Sequence, residues 1–288
     1  MNTSRDQSLF IAPRRHMRLA IESALSEDIP SGQDLASESL FGPTDISHGH
    51  FLAKSSGILA GADIIELTYQ ALGAAITIDL EKHDGDPLEP GDVFARVEGP
   101  TIALLTGERT ILNFMQRLSA IASLTHRFVK AVEGLGVRIA DTRKTTPGLR
   151  ALEKYAVRVG GGMNHRPDLS SSAMIKDNHL VGIQNKWDRI SQARQTLGHW
   201  ATLEVEVESH EDARRAVDAG ADLVLLDNMD PATLKSIARD LRDQVTLEAS
   251  GGITLDTVAA VARSGVHVIS VGALTHSAGA LDLSFELT

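Results

Sequence analysis

The chain has 288 residues, 42% apolar and 23% charged, with no cysteine and a net charge of −10. That length suffices for one large core or two domains, and the composition excludes a wholly disordered or collagen-like chain. The missing thiols exclude a disulfide framework, a thiolate nucleophile and a thiolate zinc site, while the acidic balance disfavours a nonspecific nucleic-acid or membrane partner.

The cysteine-free composition fits a reducing compartment. Charge interrupts every apolar stretch well before the roughly 18 residues of a spanning helix, so none is expected. The N-terminal MNTSRDQSLFIAPRR carries Asp6 and no apolar core, so a secretory signal is not expected and a cytoplasmic location is.

In residues 14–27, Met17, Ala20, Ile21, Ala24 and Leu25 form a helical stripe, which SGQD ends. Strand-like runs at 46–60 and 76–81 flank an Ala/Leu-rich helix over 62–73. The Gly and Pro punctuation around VFARV in DGDPLEPGDVFARVEGP predicts tight turns in a small β-rich layer. This front part reads as an α+β domain of about 110 residues, a size ordinary for one domain.

Two helices are expected at 100–118 and 120–134. Short apolar strands then alternate with amphipathic helices. The strands are expected at 137–142, 172–177, 202–207, 222–227, 245–249 and 266–271, and the helices near 148–158, 186–197, 210–219, 231–241 and 255–263. Repeated βα units mean parallel strands, in either an open doubly wound sheet or a closed barrel. No GxGxxG follows a strand, polar groups recur at the strand ends, and glycines follow the last two strands in SGGI (250–253) and VGAL (271–274). These features favour the barrel, an incomplete one of six or seven strands. The alternating LDLSFEL near the C-terminus predicts a strand that could return to the front domain.

Between Arg143 and Lys176 lie seven basic residues and two acidic ones, Glu153 and Asp168. Such an island in an acidic chain suggests a focused site for a small, highly charged anion; the bland alternative is a solvated stretch. Arg143 and Lys144 should lie in the first βα loop. Thr145 or Thr146 should cap a helix starting at Pro147, whose N-terminus adds positive charge. The glycines of GGGMNHR (160–166) read as a backbone-lined anion site or as a linker. Because side chains alternate along strands, Lys176, Glu206, Asp227 and Glu248 should lie near the C-terminal ends of four successive strands, the rim where barrel enzymes react. Glu206 and Asp227 could offset the cations, cap the next helices, or hold a divalent cation such as Mg²⁺ with phosphate oxygens. His165, His179 and His276 lack metalloprotease spacing, and His165 inside the island is a candidate ligand contact. The residues alone reach phosphate- and carboxylate-handling, metal-assisted chemistry, and no named reaction.

Several segments carry a resemblance. They are GERTILNFMQRLSAIA (107–122), DTRKTTPGLRALEKYAVRVGGGMNHR (141–166), MIKDNHL (174–180), LEVEVES (203–209), LLDNM (225–229), EASGGI (248–253) and ISVGALTHS (269–277). In order and spacing the chain resembles the quinolinate phosphoribosyltransferases, also called nicotinate-nucleotide pyrophosphorylases (carboxylating). EDIPSGQDLAS (27–37) departs slightly, through Gln33, and DLSSSAM before Ile175 is a variable spot.

The resemblance implies an N-terminal α/β-sandwich domain, 1–113 completed by 275–288, and an incomplete α/β-barrel domain, 114–274. It implies the joining of quinolinate to 5-phosphoribosyl-1-diphosphate, giving nicotinate mononucleotide, diphosphate and CO₂ with Mg²⁺, a step toward NAD. It implies a homodimer or a hexamer of dimers in which Arg109 reaches the partner's site. Arg109, Arg143, His165, Arg166 and Lys176 would hold quinolinate, and Lys144, Glu206 and Asp227 would be catalytic. Lys144, Glu206, Asp227, Glu248, Ser250, Gly251, Gly252 and Gly272 would bind the phosphoribosyl donor, with Glu206 and Asp227 at the metal, directly or through water. Rival functions are a nicotinate phosphoribosyltransferase, a related molybdenum-transport-associated protein, and a nonenzymatic phosphoribosyl-ligand sensor. The dense basic site argues against the first, IKDNH and TRKTTPGLR against the second, and the intact charged rim against the third.

Overall fold

In the computed structural model, which describes residues 12–288, Met17, Ile21 and Leu25 are buried along one side of the first helix, as their spacing predicts. The segment on which the expectation of no secretory signal rests lies largely outside the described residues. In chain order the front elements are α1 (Arg14–Asp28), α2 (Leu35–Leu40), β1 (Ile46–Ala53), β2 (Gly57–Ile58), α3 (Asp63–Ala71), β3 (Thr77–Leu80), β4 (Pro87–Leu88), β5 (Val93–Pro100) and α4 (Thr101–Ala131). There follow β6 (Arg138–Ala140), α5 (Arg150–Val159), β7 (Ala173–Ile175), α6 (Asp177–Leu180), α7 (Lys186–Thr196), β8 (Leu203–Val207) and α8 (His210–Asp218). The chain ends with β9 (Leu223–Asp227), α9 (Pro231–Leu241), β10 (Thr246–Ser250), α10 (Leu255–Ala262), β11 (Val268–Ser270), α11 (Ala273–His276) and β12 (Leu283–Leu287).

The first compact unit contains residues 12–126, Thr145–Gly161 and Thr275–Thr288. Its antiparallel four-stranded sheet has the order β12-β1-β5-β3. The alternation of LDLSFEL is explained here: β12 pairs with β1, and Phe285 lies opposite Phe51 with ring centroids 4.7 Å apart. One helix, α4, replaces the two expected over 100–134. No Gly or Pro separates the two halves, and Leu118, Ile121 and Ala122 continue one buried stripe. Ser119, fully buried between them, accepts the Ala60 N–H at 3.0 Å.

The helix expected to start at Pro147 starts at Arg150 instead. Gly148 adopts φ +81°, which ends any helical path through Pro147. Thr146 caps nothing; its N–H and hydroxyl donate to Glu153 at 3.1 and 2.7 Å. The positive helix end expected at Pro147 is therefore absent. Residues Thr145–Gly161 group with the first unit, although their sequence neighbours on both sides group with the second.

The second unit comprises Arg127–Lys144 and Gly162–Leu274. Its six strands lie where predicted and pair in parallel in the order β6-β11-β10-β9-β8-β7. Among the described residues, the terminal strands β6 and β7 are not joined to each other, and the outer edge of β6 carries only a bridge from Ala140 to Met163. Yet Arg143, beyond β6, and Lys176, just beyond β7, line one cavity. The sheet is therefore curled into an incomplete barrel, and an open doubly wound sheet is excluded. Among the described residues, no helix is long and apolar enough to cross a membrane.

Candidate active site

The C-terminal ends of the strands surround a cavity of about 520 Å³. Strand alternation places its acids: Glu206 is the penultimate residue of β8, Asp227 ends β9, and Glu248 and Ser250 share a side of β10. All four line the cavity, with Arg143, Lys144, His165, Arg166, Lys176, Gly251 and Gly252. Gly272 follows β11 and is not among the lining residues. Arg109 lies on α4 in the first unit, with its guanidinium 3.6 Å from Glu108.

The basic island separates into two populations. Arg143, Lys144, Arg166 and Lys176 face the cavity, whereas Arg150, Lys154 and Arg158 belong to α5 in the first unit. The glycines of GGGMNHR do not line the cavity. A Cβ on Gly160 would lie 2.4 Å from the Ala122 carbonyl, so this glycine permits close packing of α5 against α4.

The Lys176 ammonium donates to Glu206 at 2.8 Å, and the Lys176 N–H donates to His179 Nδ1 at 3.0 Å. His179 thus holds the turn that presents Lys176. Asn228, left without a role by the sequence reading although it stands in LLDNM, also lines the cavity. Its side-chain amide donates to Asp227 at 2.6 Å and its backbone N–H to the Ser250 carbonyl at 2.9 Å, tying together the tips of β9 and β10.

Beneath the cations lies a group of buried acids. Glu204 and Glu248 are each 3% exposed. His165 Nε2 lies 3.0 Å from Glu204 and 3.6 Å from Glu248, while its Nδ1 accepts the Arg166 N–H at 2.8 Å. With Nδ1 so engaged, Nε2 is the ring nitrogen that faces Glu204. The potential ligand atoms of His165, Glu204 and Glu248 lie within 4.8 Å of one another, a spacing that could hold a divalent cation. Burial, then the Glu204 charge, push Glu248 up to about 7, against the opposing pull of His165. Burial, then Arg143, hold the Arg166 guanidinium below its usual range, and Glu204 acts against both.

Asp141, fully buried just beyond β6, was also missed, although it opens the DTRKTTPGLR motif. It accepts the Asn164 side-chain amide at 2.7 Å and the His165 N–H at 2.8 Å. Taken as a whole, the cavity combines convergent cations, suited to carboxylates and phosphate, with two rim carboxylates, Glu206 and Asp227, able to face developing positive charge.

Comparisons with known proteins bear on this geometry. The family model "Quinolinate phosphoribosyl transferase, N-terminal domain" matches residues 34–119, and the corresponding C-terminal domain matches 121–286. A probable nicotinate-nucleotide pyrophosphorylase [carboxylating] of Bacillus subtilis (strain 168) is 47% identical over 262 residues, covering 91% of this chain and 90% of that protein. The nicotinate-nucleotide pyrophosphorylase [carboxylating] of Homo sapiens is 42% identical over 283 residues, covering 96% and 94%. The crystal structure of NadC from Streptococcus pyogenes superposes with a TM-score of 0.91 at 37% identity, covering 96% of this chain and 98% of that one.

Proposed function

The chain belongs to the quinolinate phosphoribosyltransferase family, and from that premise we propose that it joins quinolinate to 5-phosphoribosyl-1-diphosphate, yielding nicotinate mononucleotide, diphosphate and CO₂. The observation that carries this reading is the meeting of Arg143, Arg166 and Lys176 with Glu206 and Asp227 in one cavity. Quinolinate carries two adjacent carboxylates, and separated cations would not grip both.

Arg143, Arg166 and Lys176 hold the diacid. His165 lines the cavity beside them, its ring held between Glu204 and the Arg166 N–H. Lys144 lies between acceptor and donor. As diphosphate departs, the anomeric carbon gains oxocarbenium character, which Glu206 and Asp227 offset while orienting the ribose hydroxyls. The pyridine nitrogen attacks and becomes cationic. Its positive charge stabilises the electron pair left on the adjacent ring carbon when that carbon's carboxylate departs as CO₂, and a proton from water then completes the C–H bond of the product. The backbone of Ser250, Gly251 and Gly252, which line the cavity, offers N–H donors to the 5′-phosphate, with Glu248 behind them on β10; Gly272, expected to join them, stands outside that lining.

The oxygen donors of Glu206 and Asp227 fit Mg²⁺ and would hold it directly or through water. When bound, Mg²⁺ neutralises the diphosphate leaving group. The proposal includes a homodimer, alone or as three dimers in a hexamer, in which Arg109 serves the partner's site. A cytoplasmic setting belongs to the proposal too.

The test is CO₂ release from carboxyl-labelled quinolinate with the phosphoribosyl donor and Mg²⁺. Release matched by nicotinate mononucleotide is expected. Turnover of nicotinate alone, or donor binding without turnover, would replace this reading with a nicotinate transferase or a sensor.

A further inference from the structure

The segment carrying Arg166 hangs on one buried carboxylate. Asp141 accepts both the Asn164 side-chain amide, at 2.7 Å, and the His165 N–H, at 2.8 Å. Its own N–H donates to the Met163 carbonyl at 3.1 Å, tying the same segment to the end of β6. The next N–H along, that of Arg166, donates to His165 Nδ1. Two residues beyond Asp141 in the other direction stands Arg143. One carboxylate therefore sits at the root of both guanidinium-bearing arms. These arms repel each other, since Arg143 contributes to holding Arg166 below its usual range. Both guanidinium groups nevertheless line one cavity, and a charged acceptor makes stronger bonds to N–H donors than a neutral one.

We propose that Asp141 is a positioning residue for the proposed reaction: through Asn164 and His165 it sets the spacing of Arg166 from Arg143, and with it the grip on the two carboxylates of the acceptor. Asp141 is not among the residues lining the cavity and acts only through the segment it holds. The inference rests on the reading of quinolinate as acceptor.

The experiment reverses the polarity of one hydrogen bond. In Asp141→Asn, the amide can no longer accept from both donors. In the double variant Asp141→Asn/Asn164→Asp the amide sits at 141 and the carboxylate at 164, so the side-chain pair bonds in the opposite sense and the net charge is unchanged. Asp141→Asn is expected to raise the quinolinate KM about tenfold, with a smaller change in kcat and in donor KM, and the double variant to return it to within about threefold of the wild type. A fold-supporting role alone would lower the amount of folded enzyme without moving KM. Backbone amide exchange at His165 is expected to speed up in Asp141→Asn and to slow again in the double variant.

A wild-type KM in Asp141→Asn, or a double variant no better than the single one, overturns the proposal. Should Asp141→Asn fail to fold, Asn164→Ala removes just one of the two bonds and is expected to raise KM less; an unchanged KM there overturns the proposal equally. A wild-type chain that releases no CO₂ from quinolinate takes down the proposed function instead, and His165 exchange still decides whether Asp141 holds the segment.

Discussion

The ammonium of Lys176 lies 2.8 Å from the carboxylate of Glu206, so a cation expected to grip the acceptor and an acid expected to face the sugar already touch. The Lys176 side chain is 42% exposed, and a pair so open to water contributes at most about 1 kcal/mol to folding. Its expected contribution is to preorganise the cavity. Lys176→Ala should therefore lower kcat/KM for quinolinate about a hundredfold, or ~2.7 kcal/mol of transition-state stabilisation. Steady-state kinetics set beside thermal melting checks this; a loss of activity matched by an equal loss of folded protein would refute it.

Glu206→Gln and Asp227→Asn keep the shape of each side chain and remove its charge. Each should raise the Mg²⁺ concentration for half-maximal activity, and Asp227→Asn should also raise the donor KM. Metal titrations of both variants at saturating quinolinate provide the measurement. An unchanged metal dependence in both would separate these acids from the metal.

Glu248 gives a pH signature. Its pKa is raised in the folded chain, to about 7, by burial and by Glu204, from an ordinary value of 4.5. The folded state therefore holds the proton more tightly than the unfolded one. The stability this contributes is fully present below pH 4.5 and is lost as pH rises through about 7. Glu248→Gln, which resembles the protonated acid, should flatten the fall in melting temperature between about pH 5 and 8. Parallel slopes for the two proteins would show that Glu248 is not the group responsible.

Gly251 has φ +95°, and a Cβ there would lie 2.1 Å from the Asn228 side-chain oxygen and 2.8 Å from the Asn228 nitrogen. Gly251→Ala must strain its own backbone and push away the residue that joins the tips of β9 and β10. A loss of about 1–3 kcal/mol is expected, together with a raised donor KM because the displaced loop lines the cavity. Denaturant unfolding and donor saturation curves test the two halves separately. Gly252→Ala, with nothing within 4 Å of its Cβ, should strain only its backbone and cost less.

Much of the fold was legible because it repeats a short period. Parallel strands alternating with helices leave a regular mark, and all six strands of the second unit stand where that mark put them. The failures were of another kind. A boundary was drawn inside α4 at Ser119, whose hydroxyl accepts from Ala60, a partner 59 residues away. Pro147 looked like a helix start, but Gly148 turns the chain there. The basic island read as one site, and its α5 cations proved to belong to the other unit.

Side-chain alternation alone was enough to put Lys176, Glu206, Asp227 and Glu248 on one side of their strands, because that period is a property of the extended backbone. Only the tertiary structure could decide that β6 and β7, at opposite edges of the sheet, bring Arg143 and Lys176 to one cavity. It alone placed the Arg166 N–H on His165 Nδ1 and found Asp141 holding Asn164 and His165. These depend on sheet curvature and on bonds between residues far apart in the chain. Local spacing carries no record of either, since both arise only when the whole sheet curls around its buried acids.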